Sequence, residues 1–467
     1  MPKPPIFISG SGDLLSPIEK MRRLEGIPAE VYIHGPRYRH NYDGIIPKIP
    51  LSELKKKLYQ ADDIIFDMTR TNSWKKYLDK KKKDPKTTPS INAKTDLEFL
   101  KMFGLPVLDR SLFGALAQKL SKGARVVGCN LWAEDVEMDR SMGSELAKKI
   151  GLEIPEYHEF ASLKDGTAFL REHQDDLWVL KPNENQDNDL TYVEKYEGEL
   201  MYKFEKQLPA RTGEKFSYIL QKVVKGHEIS SEAWWTGNEW CHYNHTIENK
   251  RTMNNNLGPA IGCQDSIVWV KDEPVNSNSL MVKAFAAYTP YVKRSGYIGP
   301  VDFNCIVTED GKAYFLEFTH RHGYDATFCF FELLTSGIGN FYLNDFQGTF
   351  FDGFAGSQRI TIPPFPEEDK EQLVKKALGV PIVNKLPLDW FWGGDIKVED
   401  GQLMCAGADG ILGVVTGRGK TLMTCVDEVY KNIHKLKVGA YLQYRTDLDV
   451  RARKVLSAFK KWNVEVG

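Results

Sequence analysis

The chain has 467 residues, 42% of them hydrophobic and 27% charged, with a formal net charge of −1. These proportions are ordinary for a globular protein and give no sign of disorder. The length allows two to four domains at about 100–200 residues each. The 62 basic and 63 acidic residues are balanced, which argues against a dedicated nucleic-acid-binding protein, since such proteins normally carry a basic excess.

The cysteine pattern and the apolar runs indicate the cellular compartment. The seven cysteines form no C-x-x-C pair, which favours reduced thiols in a cytoplasm-like compartment. The apolar run at the start is too short for a signal peptide, and there is no run of about eighteen apolar residues to span a membrane. We therefore expect a soluble cytoplasmic protein, a monomer or homodimer, that acts on small molecules without a membrane partner.

The first segment predicts a strand, a glycine loop, a helix and a second strand. The strands are predicted at residues 6–8 and 31–33, and Ser16-Pro17 is a helix-start signal. This order predicts a small parallel α/β layer, to which residues 61–69 add a strand. The Gly10-Ser11-Gly12 loop could receive a phosphate or carboxylate at the helix N-terminus, but a simple tight turn is the better interpretation of so short a pattern.

The following segments alternate between charged and apolar stretches. Residues 74–90 form a lysine-rich run, for which a solvated loop is a better interpretation than an anion-binding patch. Helical spacing predicts a helix that stops at Gly151, and a later apolar strand carries Lys181 at its end. Towards the C-terminus, residues 410–417 predict a strand and residues 424–436 predict a helix.

A hairpin is predicted within residues 299–328, where Asp302 and Glu317 flank a turn signal at residues 309–312. Neither face of this ribbon is fully polar, so we expect both acids to point away from water. Because an unpaired buried charge costs several kcal/mol or more, each acid needs a partner. Mg²⁺ is the usual partner of paired oxygen ligands, and an ordinary salt bridge to Arg321 is an equal alternative.

Residues suited to a nucleoside triphosphate follow one another along the chain, with cations first and acids last. Lysines can neutralise phosphate oxygens, acids can hold Mg²⁺, and a hinge strand can read adenine through its backbone. The candidates are Lys181, Glu228, Lys250, Arg251, Asp302, Glu317 and Arg321.

In these residues the sequence resembles the ATP-grasp ligases, and within them the glycinamide ribonucleotide synthetases (phosphoribosylamine–glycine ligases). Residues 317–325 are similar to that family's E-F-N-x-R-F-G-D-P-E, and residues 219–228 to its hinge strand V-I-E-E-F-L-x-G-E-E. Residues 249–265 are similar to its H-K-R…T-G-P-N-T-G-G-M-G loop, and residues 407–433 to the N-G-G-R-V-L-x-V-x-x-x-G core of its last domain. The resemblance extends over about residues 139–450.

The resemblance implies an α/β and α+β multidomain protein with the ATP-grasp fold. It implies an N-terminal parallel α/β (pre-ATP-grasp) domain at residues 1–110. An ATP-grasp domain for nucleotide and metal would follow at residues 111–345, and a C-terminal mixed α/β domain at residues 346–467. It also implies ATP and Mg²⁺ as cofactors, with Mn²⁺ as a substitute for Mg²⁺.

The resemblance also assigns roles to residues of this chain. The residues implied for catalysis are Arg321, Lys250 and Arg251. The residues implied for nucleotide binding are Lys181, Gln221, Lys222, Val224 and Glu228. The residues implied for metal binding are Asp302, Glu317 and Thr319. The residues implied for substrate binding are Gly10, Gly12, Asp13, Gly258, Pro259 and Asp325.

The chain departs from the family in its phosphate loop. The family has a glycine-rich K-x-D-G-L-A-x-G-K-G-V, whereas residues 181–193 read KPNENQDNDLTYV. Lys181 remains, but the glycines that let backbone amides approach phosphate closely are missing. Contacts to phosphate would then come from Asn183, Asn185 or Asn188.

Single substitutions mark other departures. Thr319 replaces the metal-binding asparagine of E-F-N, and Lys222 replaces an acidic hinge residue whose side chain matters little if adenine is read by the backbone. In the first loop, Asp13 stands where the family offers cationic or neutral groups. A carboxylate there repels phosphate, so we expect poor activity with glycine and phosphoribosylamine.

The resemblance implies an ATP-dependent carboxylate–amine ligase that proceeds through an acyl phosphate, as in purine biosynthesis. A different amine, nucleotide-like or an amino acid, is nearly as well supported as the family's own acceptor. Two other classes stay open: a nucleotide-binding protein without ligase turnover, suggested by the missing glycines, and a structural partner protein. The retained Glu228, Glu317 and Arg321 argue against the last.

Overall fold

The structure is a computed structural model of the chain that describes residues 3–68, 73–105, 111–182, 190–212, 216–272, 277–367 and 369–466. Contacts among these residues divide the chain into two compact units. Unit 1 comprises Met1–Gly143, Ile229–Asn304 and Glu317–Gly467, and unit 2 comprises Ser144–Glu228 and Cys305–Leu316. The division into three domains stays a prediction. Within the described ranges, every helix is too short or too polar to cross a membrane.

Helices and strands alternate in the first part of the chain, and strands dominate the middle. Over the described residues, the strands are β1 (Ile6–Ser9), β2 (Glu30–Ile33), β3 (Asp63–Phe66), β4 (Arg125–Val127), β5 (Tyr157–Phe160), β6 (Trp178–Pro182), β7 (Tyr192–Val193), β8 (Tyr218–Lys222), β9 (His227–Trp235), β10 (Trp240–Met253), β11 (Leu257–Lys271), β12 (Gly299–Val307), β13 (Ala313–Thr319), β14 (Phe354–Thr361), β15 (Phe391–Gly393), β16 (Ile396–Glu399), β17 (Gln402–Cys405) and β18 (Ile411–Gly419). Over the same residues, the helices are α1 (Leu15–Leu24), α2 (Leu51–Leu58), α3 (Ser73–Lys83), α4 (Ile91–Phe103), α5 (Leu112–Leu120), α6 (Leu131–Met138), α7 (Arg140–Lys149), α8 (Leu163–Glu172), α9 (Glu199–Tyr202), α10 (Leu208–Thr212), α11 (Leu280–Ser295), α12 (Tyr324–Leu333), α13 (Ile338–Leu343), α14 (Lys370–Ala377), α15 (Leu422–Lys435) and α16 (Leu448–Trp462).

A parallel sheet opens unit 1, with strand order β2-β1-β3-β4. Its central strand is apolar: Ile6, Phe7 and Ile8 are at most 5% exposed, as expected for a strand covered on both faces. The predicted sequence of strand, glycine loop, helix and strand is confirmed by β1, α1 and β2. The predicted strand within residues 61–69 is β3.

The lysine-rich run differs from its prediction. All of residues 74–83 belong to α3, so the solvated loop predicted over residues 74–90 is wrong for that part. Trp74 is 3% exposed, and its backbone N–H donates to Asp96 Oδ2 of α4 at 3.1 Å. Lysine itself is a good helix former, and Trp74 together with Leu78, one helical turn later, packs against the same hydrophobic core.

Unit 2 contains a small antiparallel sheet with strand order β5-β8-β6-β7. Trp178 and Leu180 of β6 and Tyr218 and Leu220 of β8 are fully buried, and they form a core with residues of α8 and α9. The strand expected to carry Lys181 near its end is β6.

A larger sheet has the strand order β13-β12-β9-β10-β11-β14-β18-β15. Its strands β9, β10, β11, β14 and β18 are antiparallel neighbours, and β10 and β11 form a long hairpin. Helix α15 begins at a capping box in which the Thr421 side chain accepts from the Thr424 backbone. The strand and helix predicted for residues 410–436 are thus confirmed. The expected α/β and α+β organisation is confirmed as well.

Candidate active site

Asp302 and Glu317 lie on the neighbouring strands β12 and β13. Asp302 is half-buried, and its Oδ1 accepts a hydrogen bond from Ser230 Oγ at 2.5 Å. Glu317 is exposed, so the expectation that both acids point away from water is wrong for Glu317. The two-residue period of β13 is interrupted there, because Phe315 and Phe318, three positions apart, are both buried.

The neighbouring strands add polar side chains. Ser230 and Glu232 are two residues apart on β9 and therefore share a face. Their antiparallel partners on β10 are Thr246 and Asn244, and Glu248 follows Thr246 at the same two-residue spacing. A polar stripe therefore runs along β9 and β10. Ser230 of this stripe contacts Asp302 of β12.

Three neighbouring acids influence Asp302. Burial raises the pKa of Asp302 well above its ordinary value, and the charges of three neighbouring acids raise it further. These acids are Glu232, Glu248 and Glu317, and we call them together with Asp302 the carboxylate face. Such mutual repulsion is the condition that a divalent cation relieves.

The carboxylate face fits Mg²⁺ by its chemistry. Mg²⁺ prefers oxygen ligands and is usually held by one or two carboxylates together with water and substrate phosphate. Asp302 and Glu317 would supply the carboxylates, and the half-buried Thr319, which ends β13, lies two residues beyond Glu317. Within the described part of the chain, there is no group of three or more histidines, cysteines or acids that could hold a metal ion. Water or substrate oxygens would therefore complete the coordination.

Glu232 makes the stability of the protein depend on pH. Its side chain is 7% exposed, and burial raises its pKa from 4.5 to about 8. Between these values the folded protein binds more protons than the unfolded chain, so the free energy of unfolding falls as pH rises. We expect Glu232→Gln, which mimics the protonated acid, to gain stability over the wild type by up to about 1.4 kcal/mol per pH unit in this window. Urea unfolding across the window measures this gain, and a difference that stays constant with pH would contradict it.

Arg321 is fixed by Glu137 of α6. Glu137 Oε1 accepts from Arg321 Nε at 3.0 Å, and Glu137 Oε2 accepts from the backbone N–H of His320 at 3.1 Å. Burial disfavours the charged guanidinium, but Glu137, Tyr324 and Glu317 outweigh it and raise the pKa of Arg321 above its ordinary value. Arg321 therefore remains cationic within reach of the carboxylate face.

Lys250 and Arg251 lie near the tip of the β10–β11 hairpin. Lys250 is half-buried and Arg251 is exposed. Arg251 NH1 donates across the hairpin to the Gly258 carbonyl at 2.8 Å, and the exposed Pro259 follows in β11. The hairpin thus brings together the two cations and the Gly258-Pro259 pair that the sequence assigned to the substrate.

The hairpin tip is tied to the chain segment before α16. Arg445 is 2% exposed and donates to the Arg251 carbonyl at 3.0 Å and to Asn256 Oδ1 at 3.2 Å. Arg445 in turn donates to both oxygens of Asp447 at 2.9 Å. Asp447 also accepts from the backbone N–H of Asn255 at 2.8 Å. The backbone of the tip is therefore held by both partners of one ion pair, the buried Arg445 and the half-buried Asp447.

The glycine loop after β1 is closed by Asp67, one residue beyond β3. Asp67 Oδ1 accepts from the Gly10 N–H at 3.1 Å, and Oδ2 accepts from the Asp13 N–H at 3.2 Å and from Ser9 Oγ. The Gly12 N–H donates to Ser9 Oγ at 2.6 Å. Gly12 has φ of +93°, which a residue with a side chain rarely adopts. Burial and the nearby Asp13 charge raise the pKa of Asp67 to about 7.

The side chain of Asp13 and that of Asp325 have different surroundings. Asp13 is exposed, accepts from Ser11 Oγ at 2.9 Å, and lies within electrostatic reach of Arg321 and Arg359. Asp325 is 2% exposed, and its two oxygens accept from Arg359 Nε at 3.1 Å and NH2 at 2.8 Å. Asp325 is therefore placed to orient Arg359.

The residues assigned to the nucleotide belong to unit 2: Lys181, Gln221, Lys222, Val224 and Glu228. Lys181 is half-buried as the next-to-last residue of β6, and Gln221 is 9% exposed in β8. Lys222 Nζ forms an ion pair with Asp176 Oδ2 at 2.8 Å. Val224 and Glu228 are half-buried. Asn183, Asn185 and Asn188 lie outside the described residues.

Comparison with known proteins identifies the fold. No protein-family model and no curated protein matches the chain. Among solved structures, a phosphoribosylamine–glycine ligase from Thermotoga maritima is similar with a TM-score of 0.63 at 16% identity, over 95% of this chain and 99% of that one. The chain has the ATP-grasp fold.

Other ATP-grasp structures are also similar to this chain over almost its full length. A biotin carboxylase from Campylobacter jejuni has a TM-score of 0.55 at 11% identity, over 99% of this chain and 97% of that one. An N5-carboxyaminoimidazole ribonucleotide synthetase from Thermus thermophilus has a TM-score of 0.52 at 13% identity, over 92% of this chain and 98% of that one. The ATP-grasp fold therefore accounts for nearly the whole chain.

Some polar residues of this ATP-grasp chain were missing from the sequence assignment. Ser230 and Glu232 were not assigned. They follow the assigned Glu228 at every second position of β9, so the two-residue period of a strand could have grouped them with it. Glu137 has no comparable local signal, because its partner Arg321 is 184 residues away.

Proposed function

We propose that the chain is an ATP-dependent carboxylate–amine ligase that forms an amide through an acyl phosphate. The observation that carries this proposal is the position of Arg321. Glu137 holds this cation within the electrostatic reach of Glu317, in a chain with the ATP-grasp fold. A fixed cation beside a pair of acids that could hold Mg²⁺ suits the transfer of a phosphoryl group.

The reaction has two steps. A substrate carboxylate oxygen attacks the γ-phosphorus of ATP, which forms the acyl phosphate and releases ADP. The amine nitrogen then attacks the acyl carbon, phosphate leaves with the electron pair of the C–O bond, and the nitrogen loses a proton. Positioning and charge neutralisation dominate such chemistry, so no nucleophilic side chain is required.

Residues of unit 1 would serve the reacting groups. Arg321 would stabilise the transferred phosphoryl group, and Lys250 and Arg251 would bind the substrate carboxylate or phosphate. Asp302 and Glu317 would hold Mg²⁺, with Thr319 as a weaker oxygen donor. When bound, Mg²⁺ would neutralise negative charge on the phosphate groups.

Residues of unit 2 would hold ATP. Lys181 would neutralise phosphate oxygens, Glu228 would accept from the ribose hydroxyls, and the backbone around Gln221, Lys222 and Val224 would read adenine. Because Lys222 has an acidic partner of its own in Asp176, its side chain is not needed for the base.

Lys181→Ala should weaken ATP binding. A charge-assisted contact of this kind contributes about 1.5–3 kcal/mol, or roughly ten- to a hundredfold in affinity. Calorimetric titration with Mg-ATP measures the loss. Lys225→Ala removes an equal charge from an exposed turn of the same unit and should bind ATP as the wild type does. Equal affinities for the two variants would mean that Lys181 makes no contact with phosphate.

The amine acceptor is a separate question within this proposal. The similar ligase from Thermotoga maritima is named for phosphoribosylamine and glycine, which makes a role in purine biosynthesis one version of the proposal. The other version is a different amine, supported by the carboxylates of Asp13 and Asp67 at the loop after β1.

Release of ADP from Mg-ATP tests the proposed function. We expect purified protein to release ADP once a suitable carboxylate is present, and to form a new amide, detected by mass spectrometry, only when a suitable amine is added as well. ATP binding without ADP release across a broad panel would favour a nucleotide-binding protein without turnover, and the absence of ATP binding would reject both.

A further inference from the structure

The turn after β1 has the form of an anion-binding turn, but its hydrogen-bond donors already have a partner. Backbone N–H groups at a strand-to-helix turn commonly bind phosphate or carboxylate groups of ligands. Here the N–H groups of Gly10 and Asp13 donate to the two oxygens of Asp67, and the Gly12 N–H donates to Ser9 Oγ. The side chain of Asp67 is buried, at 3% exposure of the residue. A carboxylate of the protein thus occupies the position at which a substrate anion would bind.

A second turn of unit 1 repeats this arrangement. Asp395 is 1% exposed, and its Oδ1 accepts from the Ala408 N–H at 2.8 Å. Its Oδ2 accepts from the N–H groups of Asp409 and Gly410, each at 2.9 Å. Three successive backbone donors therefore converge on one carboxylate of the protein, as they would on an oxyanion.

The two turns share their surroundings. Tyr38 lies within electrostatic reach of Asp13 in the first turn and of Asp409 and Asp395 in the second. The charge of Asp409 favours the cationic form of Arg359, and the charge of Arg359 favours the ionised form of Asp13. An anionic group that entered this region would meet carboxylates at both turns, and the cation Arg359 already donates two hydrogen bonds to Asp325.

We propose that Asp67 excludes phosphate from the turn after β1, so that the acceptor amine of this ligase carries no phosphate group at that position. This inference rests on the proposed ligase function and narrows its substrate class. Asp67 acts as a specificity-determining residue in two ways: it uses the donors that a phosphate would need, and in its ionised form its charge adds to that of Asp13 in repelling a dianion.

The test compares ribose 5-phosphate with ribose, two probes that differ only in the phosphate. Calorimetry on the full chain measures their affinities for the wild type and for Asp67→Ser, which removes the carboxylate and leaves the amides of Gly10 and Asp13 open. We expect the wild type to bind ribose 5-phosphate no tighter than ribose. We expect Asp67→Ser to bind the phosphorylated probe at least tenfold tighter than the wild type does.

Matched variants keep the result interpretable. Asp62→Ser removes the charge of an exposed acid that is paired with Lys3 at the surface, and should leave both affinities unchanged. Asp67→Asn keeps the shape of the side chain and serves if the serine variant does not fold; it should show a smaller gain in the same direction. Binding requires no turnover, so a failed ligase assay does not affect this readout.

Two results would overturn the inference. One is tight binding of ribose 5-phosphate by the wild type, at least tenfold above ribose. The other is a folded Asp67 variant that gains no phosphate-dependent affinity.

Discussion

Glu317→Gln is expected to abolish ATP turnover and to leave the unfolding transition of the protein unchanged. The first expectation follows from ligand chemistry, because a neutral amide is a far weaker Mg²⁺ ligand than a carboxylate. The second follows from the structure, because Glu317 is exposed and exposed substitutions usually change stability by less than about 0.5 kcal/mol. Release of ADP and urea unfolding measure the two effects.

A matched control is available in the same hairpin. Glu309 is exposed in the turn that joins β12 and β13, and Glu309→Gln makes the same chemical change away from the carboxylate face. This control should turn over ATP at the wild-type rate. If Glu317→Gln is as active as Glu309→Gln, the metal assignment of Glu317 is wrong.

Arg359→Met is expected to lower the free energy of unfolding by about 3–5 kcal/mol, because it leaves a buried charge without its partner. The side chains of Arg359 and Asp325 are 8% and 3% exposed, and two hydrogen bonds join them. Replacing both partners, as in Arg359→Met with Asp325→Leu, should recover much of the loss, since the unpaired carboxylate is then removed too.

An exposed ion pair provides the comparison for this effect. The side chains of Lys82 and Asp79 are 79% and 54% exposed at a distance of 3.4 Å, and such pairs contribute about 0–1 kcal/mol. Lys82→Met should therefore have little effect in the same urea titration. A loss of less than about 1 kcal/mol for Arg359→Met would show that Asp325 tolerates the missing charge.

The sequence predicts well those features that depend on neighbouring residues. The strand Ile6–Ser9, the glycine loop that follows it and the helix Leu422–Lys435 each follow from local spacing or from a few special residues. The loop predicted for the lysine-rich run is wrong because Trp74 and Leu78, one helical turn apart, pack against the core and outweigh the polar majority. Two apolar residues among so many lysines are too few for a periodic pattern to be recognised.

The chemistry of the candidate site depends on residues that are far apart in the chain. Glu137 fixes Arg321 across 184 residues, and Asp67 closes the loop at Gly10 across 57 residues. The sequence identifies Arg321 and Gly10 by their motifs, but it contains no signal that joins them to these acids. Which donors are still available to a substrate is therefore a property of the folded chain alone.

The attachment of the hairpin tip to Arg445 and Asp447 determines when Lys250 and Arg251 become ordered. Fixing the backbone of a residue costs about 1–2 kcal/mol in conformational entropy. Here the tip loses this entropy when the protein folds, before any ligand binds. A ligand that contacts the tip meets a preorganised backbone, so more of its contact energy appears as affinity. Replacing Arg445 with methionine, which cannot donate to Arg251 and Asn256, would transfer part of this ordering to the binding step and would weaken binding, although every residue assigned to the ligand would still be present.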